Sequence, residues 1–408
     1  MQQTHEEDTV KKLYLAKYGQ SPFGKLGNYP IEQMILDAGA KDLDVDRDKV
    51  DHIAIAGLLT PLIQQQSLIA GLAAMDPVYT GKSIKGVANA CDSGGLAVLD
   101  CAAQILAGLA HVGLAVGIEK MHPLEGKLDS KEIGIALGTA AHKEDEFSPF
   151  TFPHAFAVIM DRYMKAYGWT EEQFAEIPPI FYDNASHNPL AHMHKTRAPV
   201  TPQAVLESYR LFEKPEKLPL KLFECSQISD GWARILVCDE EGLASLGIDR
   251  SEATLLAGFG QATDSLSIAS RGENLLRPVG AKRAFGAAMQ MAGATTADID
   301  VQEVHDCFSV MGPLAVETTG LADHGKGLQF FLDGHARVGG KCPINTSGGL
   351  IAKGHPISAT GLAMIGWVHQ QLRGLAPEAL QVKNAKLGTT LNIGGPICST
   401  VVTVQRPA

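Results

Sequence analysis

Excess positive charge, long apolar runs and paired cysteines are missing from this chain, and each absence removes a class of function. Thirty-five Lys and Arg stand against 45 Asp and Glu, a net charge of −10, so there is no general basic field for a nucleic-acid backbone. No apolar stretch reaches ~18 residues free of charges and turn residues, which argues against a helical membrane span. The seven cysteines include no C-x-x-C pair and no zinc-type spacing, so reduced thiols are expected. The first residues, MQQTHEEDTVKK, carry no signal-type apolar run, and the last carry no peroxisomal tripeptide; cytoplasm is the expected location. What is present is 408 residues, 45% hydrophobic and 20% charged, enough for a large core and more than one domain-sized unit.

Short β-branched or small-apolar runs alternate with helical patterns. Residues 13–17, 52–57, 83–89 and 112–118 predict strands, with helices over 31–38 and 93–108. The alternation resumes at 253–260, 281–292, 301–304, 359–372 and 387–393, and 233–238 reads as a further strand. This order predicts an α/β fold with helices covering a buried sheet.

A repeat spans the chain. Gly95-Leu96-Ala97 matches Gly361-Leu362-Ala363, and Gln104, Leu106 and Gly108 answer Gln370, Leu372 and Gly374 at the same offset of 266 residues. Val50-Asp51 resembles Ile299-Asp300, each entering a strand. The expectation is duplication, against chance identity in Ala/Gly/Leu-rich helices. Residues 121–230 break the alternation with Pro, His, Tyr and Asn, around one clear helix at 155–167. They read as an insertion lying over the first half and covering a ligand.

Four residues carry chemistry. Cys91, in Asn89-Ala90-Cys91-Asp92-Ser93-Gly94-Gly95, stands between a strand and a helix start; the positive end of a helix dipole favours a thiolate there. Its bland reading is a buried structural cysteine. His355, in Gly354-His355-Pro356, opens the second small-residue helix, where an imidazole can take a thiol proton or serve only as a turn cap. His305 and Cys307, in His305-Asp306-Cys307-Phe308, end a strand on one side of it; a plain strand-end pair is the alternative. The turn Asn392-Ile393-Gly394-Gly395-Pro396 offers backbone N–H groups for an oxyanion. Two thiols and two imidazoles make a set suited to thioester carbon chemistry. The group His187, His192 and His194 lacks a completing Cys or carboxylate, so no metal site is expected. Cys101, Cys225, Cys238, Cys342 and Cys398 read as structural.

In order, these segments resemble the thiolase family, most closely its sterol-carrier-protein-type branch, over nearly the whole chain. Gly117-Ile118-Glu119-Lys120-Met121, Asn188-Pro189-Leu190-Ala191-His192, Ser229-Asp230-Gly231 and Asn345-Thr346-Ser347-Gly348-Gly349-Leu350 support the match. The resemblance implies a duplicated fold in α-β-α-β-α layers: a first half over 1–250 that contains a loop domain at 121–230, and a second half over 251–408. It also implies a homodimer or dimer of dimers. By position Cys91 is similar to the acylated nucleophile and His355 to its activating histidine. His305 would hold a thioester oxygen, Cys307 would be the acid/base cysteine, and Gly394 with Cys91 would supply oxyanion N–H groups. Other members place the acid/base cysteine in a Cys-x-Gly turn, where this chain has Asn392, and Ser358 stands where a glycine is expected.

The function so implied is reversible Claisen condensation and thiolysis of 3-ketoacyl-coenzyme A. Acyl-coenzyme A and coenzyme A would be the substrates, with no permanent cofactor or metal, no nucleic-acid partner and no membrane. Two alternatives are a decarboxylating ketosynthase-like condensing enzyme, against which Cys307 argues, and an acyl-coenzyme A-binding or scaffold subunit working with a small accessory protein.

Overall fold

Among the described residues nine strands form one sheet in the order β3-β2-β4-β5-β1-β6-β9-β8-β7. They are β1 (Tyr14–Gln20), β2 (His52–Ala56), β3 (Ser83–Val87), β4 (Val112–Glu119), β5 (Gly231–Cys238), β6 (Thr254–Thr263), β7 (Val301–Val304), β8 (Gly388–Gly394) and β9 (Ser399–Pro407). The structure, a computed structural model, describes residues 11–122, 130–195, 198–214 and 216–408.

The pairing repeats itself. β4 runs parallel to β2 and antiparallel to β5, which is antiparallel to β1. β8 runs parallel to β7 and antiparallel to β9, which is antiparallel to β6. A short antiparallel contact, Tyr14↔Leu255 and Leu15↔Thr254, joins the two sets. The aspartates singled out in sequence do the same work in each. Asp51 Oδ2 accepts from the N–H of His111 (2.8 Å) and Val112 (2.9 Å), and Asp300 Oδ2 from those of Lys386 (2.7 Å) and Leu387 (2.9 Å). Each ties the start of one parallel strand to its neighbour.

β2, β4, β5 and β8 are buried along their whole length, as near-continuous apolar strands covered on both faces must be. Helix Ile31–Ala40 packs on β4 and β5, and helix Val279–Ala292 on β6 and β9. Helices Ser93–Leu106 and Ile357–Leu372 lie between the two sheet portions and against each other, completing the five layers. Their crossing explains the small-residue repeat: a Cβ on Gly94 would stand 2.5 Å from Ser358 O, and one on Gly361 2.6 Å from Gly95 N. Only glycine lets the backbones approach so closely.

Two expectations change. β9 has no counterpart in the sequence reading, yet it lies inside the sheet and carries Ser399 and Val401 to the centre. Segment 83–89, read as a strand, forms β3 at one edge of the sheet, with Ser83, Lys85 and Gly86 exposed in the single chain. The insertion packs mainly on the second half. Phe156 stacks on Phe308 (centroids 4.6 Å apart) and Phe181 meets Phe331 edge-on (6.1 Å). Tyr163 donates to Glu317, and Asn184 and Asn188 donate to the carbonyls of Asn345 and Ser347. Aromatic side chains of its helices find their apolar partners there, while Met121 and Ile133 reach the first half around Cys91. Among the described residues no helix is long and apolar enough to cross a membrane.

Candidate active site

Cys91 sits in the loop between β3 and helix Ser93–Leu106, after Ala90 in the left-handed region (φ 51°). Non-glycine residues rarely hold that conformation, and it persists where surrounding bonds enforce it. Here Ser93 Oγ accepts from Asn89 N (2.7 Å) and donates to Ala90 O (2.6 Å). Asn89 Nδ2 reaches Ser399 Oγ at 2.9 Å, and Ser399 donates to Asp92 (2.5 Å). The missed strand β9 thus braces the loop.

The Cys91 sulfur and one ring nitrogen each of His305 and His355 lie within 4.8 Å of one another. The two rings meet edge to face, centroids 5.0 Å apart at 82°. His355 follows Gly354 (φ 104°) and precedes helix Ile357–Leu372. Its Nδ1 is 2.7 Å from Thr360 Oγ1, whose single proton goes to Pro356 O (2.9 Å). Thr360 therefore accepts from Nδ1–H, which leaves the Nε2 lone pair of His355 free. His305 has the opposite tautomer. Asn392 Nδ2 donates to His305 Nδ1 (3.3 Å) and to Cys91 O (3.0 Å), so the proton of a neutral His305 is on Nε2, a donor. This assignment follows from the hydrogen-bond network.

Burial sets the charges. The His355 imidazole is pushed down to about 3, first by burial and then by Lys353, and that of His305 well below its usual range, first by burial and then by His355. The Cys91 thiol is pushed up to about 12 by burial, with Asp92 and Glu119 adding to the rise and a hydrogen bond from the Gly395 backbone opposing it. The expectation of a dipole-stabilised thiolate is corrected: burial keeps Cys91 a thiol, desolvation outweighing the helix end. Cys307 is also raised well above its ordinary value, again by burial first.

Cys91, His305, Cys307 and His355 form the floor of a cavity of about 410 Å³. Phe152, Phe156, Leu211 and Phe308 stand in its walls, and at its rim Tyr209 and Leu222 are 71% and 51% exposed. Among the described residues no Lys, Arg, Asp or Glu lines it. The structure thus brings together all four side chains picked from sequence. Of the glycine turn read as an oxyanion donor, Gly395 lines the cavity and its backbone hydrogen-bonds to Cys91. Cys225, read as structural, also lines it. Thr360 and the bridging role of Asn392 were missed; a threonine one helical turn past Gly-His-Pro was the available signal.

The same three atoms are near enough to hold a metal ion, and among the described residues no carboxylate lines the cavity to complete such a set. His187, His192 and His194 form no metal-holding group among the described residues; His192 instead donates to Ser229 Oγ (2.8 Å), which accepts from His355 N (3.3 Å).

The sequence matches the thiolase N-terminal domain over residues 18–241 and the thiolase C-terminal domain-like family over 260–406. It is 36% identical to the acetyl-CoA acetyltransferase of Methanothermobacter thermautotrophicus, covering 92% of this chain and 94% of that one. It is 29% identical to human sterol carrier protein 2, covering 98% and 74%. Among solved structures, the Ltp2-ChsH2(DUF35) aldolase superposes with a TM-score of 0.78 (20% identity; 97% and 98% covered). Human mitochondrial 3-ketoacyl-CoA thiolase does so at 0.74 (14% identity; 98% and 99% covered). With both family domains matched in order across a doubled fold that closes on two histidines and two thiols, the chain belongs to the thiolase family.

Proposed function

We propose that this thiolase cleaves and forms 3-ketoacyl-coenzyme A with Cys91 as nucleophile, His355 as its base, His305 as oxyanion donor and Cys307 as the acid/base at carbon. The observation that carries the reading is the Cys91–His305–His355 cluster within 4.8 Å at the floor of an apolar cavity that also holds Cys307.

In thiolysis the Cys91 sulfur attacks the keto carbon while its proton passes to Nε2 of His355. The bond between the keto carbon and the α-carbon breaks, and its electron pair leaves with the acetyl-coenzyme A fragment. Nε2–H of His305 supports the enolate oxygen, and the Cys307 thiol protonates the α-carbon. Free coenzyme A then attacks the acyl-Cys91 thioester, its proton going to the Cys307 thiolate. His355 returns its proton to the leaving Cys91 sulfur. Thiol and imidazole are both neutral beforehand, so the proton passes to His355 as the carbon–sulfur bond forms.

The same reading takes 1–250 and 251–408 as the two halves, with 121–230 as the loop domain. The uncovered edge of β3 supports a homodimer paired along that strand, and the location is taken as cytoplasmic. The likeness to the Ltp2-ChsH2(DUF35) aldolase favours a small accessory protein as a further partner. A panel assay of coenzyme A-dependent cleavage of 3-ketoacyl-coenzyme A substrates tests the proposal. Turnover of at least one substrate is expected, and failure on all of them, with and without co-purifying proteins, rejects it.

A further inference from the structure

Glu303 and Lys353 are buried with side chains 0% and 1% exposed, and their Oε2 and Nζ lie 3.8 Å apart. Each stands two residues ahead of one of the two site histidines: Glu303 on β7 before His305, Lys353 at the end of the π-turn Gly349–Lys353 before His355. Glu303 is fixed by Ser347, whose N–H (3.1 Å) and hydroxyl (2.5 Å) both donate to it. The Lys353 carbonyl accepts from His192 N at 2.8 Å. Yet the Lys353 ammonium makes no hydrogen bond, and neither does Asp306 Oδ2 nearby. A buried ion costs several kcal/mol unless well paired, and an apolar side chain of this size is the cheaper way to fill a core. The cation therefore calls for a role other than packing.

We propose that the Glu303–Lys353 pair is a positioning clasp that sets the distance and edge-to-face angle of His305 and His355, with Lys353 as the positioning residue. It joins the two chain segments that carry the rings, and its cation acts on one of them. The groups facing His355 are Lys353 from its own segment, His305 from the end of β7 and Cys91 from the loop before helix Ser93–Leu106. One turn on, Ser358 is tied to Glu119. Of these, Lys353 is the cation, and with burial it opposes proton uptake by His355. The clasp thus keeps His355 a free base, and the proposal rests on the reading of His355 as the acceptor of the Cys91 proton.

The test compares the wild-type enzyme with K353M/E303Q, which removes both charges and strands neither, in steady-state thiolysis from pH 4 to 9. Folding is checked by circular dichroism. The double variant is expected to lose at least about tenfold in kcat with KM within about threefold, since neither residue lines the cavity. Its acid limb should rise by about one pH unit, the effect of one neighbouring charge. A folded double variant with wild-type kcat and an unmoved acid limb overturns the clasp. If the double variant does not fold, Lys353→Gln alone is compared in the same way: a lower kcat with a raised acid limb is expected, and a wild-type kcat with an unmoved limb overturns the proposal. A wild type that cleaves no 3-ketoacyl-coenzyme A rejects the parent reading instead.

Discussion

Nδ2 of Asn392 donates to Nδ1 of His305 across 3.3 Å, and that bond decides which nitrogen of the ring carries the proton. The second amide hydrogen goes to the Cys91 carbonyl at 3.0 Å, so one side chain holds both the Cys91 loop and the His305 ring.

Asn392→Ala therefore unpins the His305 tautomer. Its kcat for carbon–carbon cleavage should fall by up to about two to three orders of magnitude, the cost of losing one oxyanion donor, while acylation of Cys91 by a simple acyl-coenzyme A, which breaks no carbon–carbon bond, survives. Rapid-quench measurement of acyl-enzyme beside steady-state turnover separates the two. A folded variant with full kcat would show that the bond is incidental.

Incubation with an acyl-coenzyme A should leave a hydroxylamine-sensitive acyl group on Cys91, located by peptide mass mapping. His355→Ala should slow this by about two to three orders of magnitude, because the thiol, pushed up to about 12, then has no base beside it. An acyl group found on any other cysteine refutes the assignment. In the free enzyme, iodoacetamide alkylation of Cys91 should show no inflection near the ordinary thiol value of about 8.5.

His369 offers a stability test away from the cavity. Burial pushes its imidazole down to about 3, and its Nδ1 lies 2.9 Å from Thr254 Oγ1. A depressed histidine contributes stability that is full above its unfolded value of about 6.5 and is lost as pH falls toward the folded one. At pH 5 that loss is about 2 kcal/mol. Relative to His369→Gln, the wild type should lose about this much between pH 8 and pH 5, read from urea midpoints. A pH-independent difference would mean that His369 is hydrated and free to ionise.

The doubled α/β order was legible in sequence because buried strands and small-residue helices leave strong local patterns. Residues 301–304 and 281–292 fall within the observed β7 and helix Val279–Ala292. The four reactive side chains were legible because thiols and imidazoles beside glycines are chemically conspicuous. What was not legible depends on contacts distant in sequence. The raised Cys91 thiol needs the burial that the fold supplies, and Asn392 meets Cys91 across 301 positions. The insertion found the second half through Phe156 and Phe308, whose pairing no local pattern announces.

β3 leaves an edge that a second copy can cover. Sedimentation is expected to give twice the 43.4 kDa chain mass or a multiple of that pair. Ile84→Pro, placed in the middle of β3, should shift the enzyme toward monomer and lower its activity, since proline breaks strand pairing. A fully active wild-type monomer contradicts the edge-pairing proposal.

Cys307 separates the two condensing chemistries. A thiolase must move a proton at the α-carbon of acetyl-coenzyme A, whereas a decarboxylating enzyme makes its carbanion by losing carbon dioxide and needs no such acid. The cavity bears on the same choice, because among the described residues it presents no cation to a malonyl-type carboxylate. Cys307 lines the cavity beside Cys91, and a Cys91 thiolate raises the Cys307 thiol further. The second proton transfer is therefore favoured only while Cys91 is uncharged, as it is when acylated. Cys307→Ala should accordingly still acylate at Cys91, yet lose carbon–carbon cleavage by about two to four orders of magnitude, the usual worth of a positioned general acid or base. It should also lose exchange of acetyl-coenzyme A α-protons with solvent deuterium, followed by NMR. If the variant keeps thiolytic turnover, or if the wild type condenses malonyl-type donors alone, the decarboxylating reading replaces the thiolytic one.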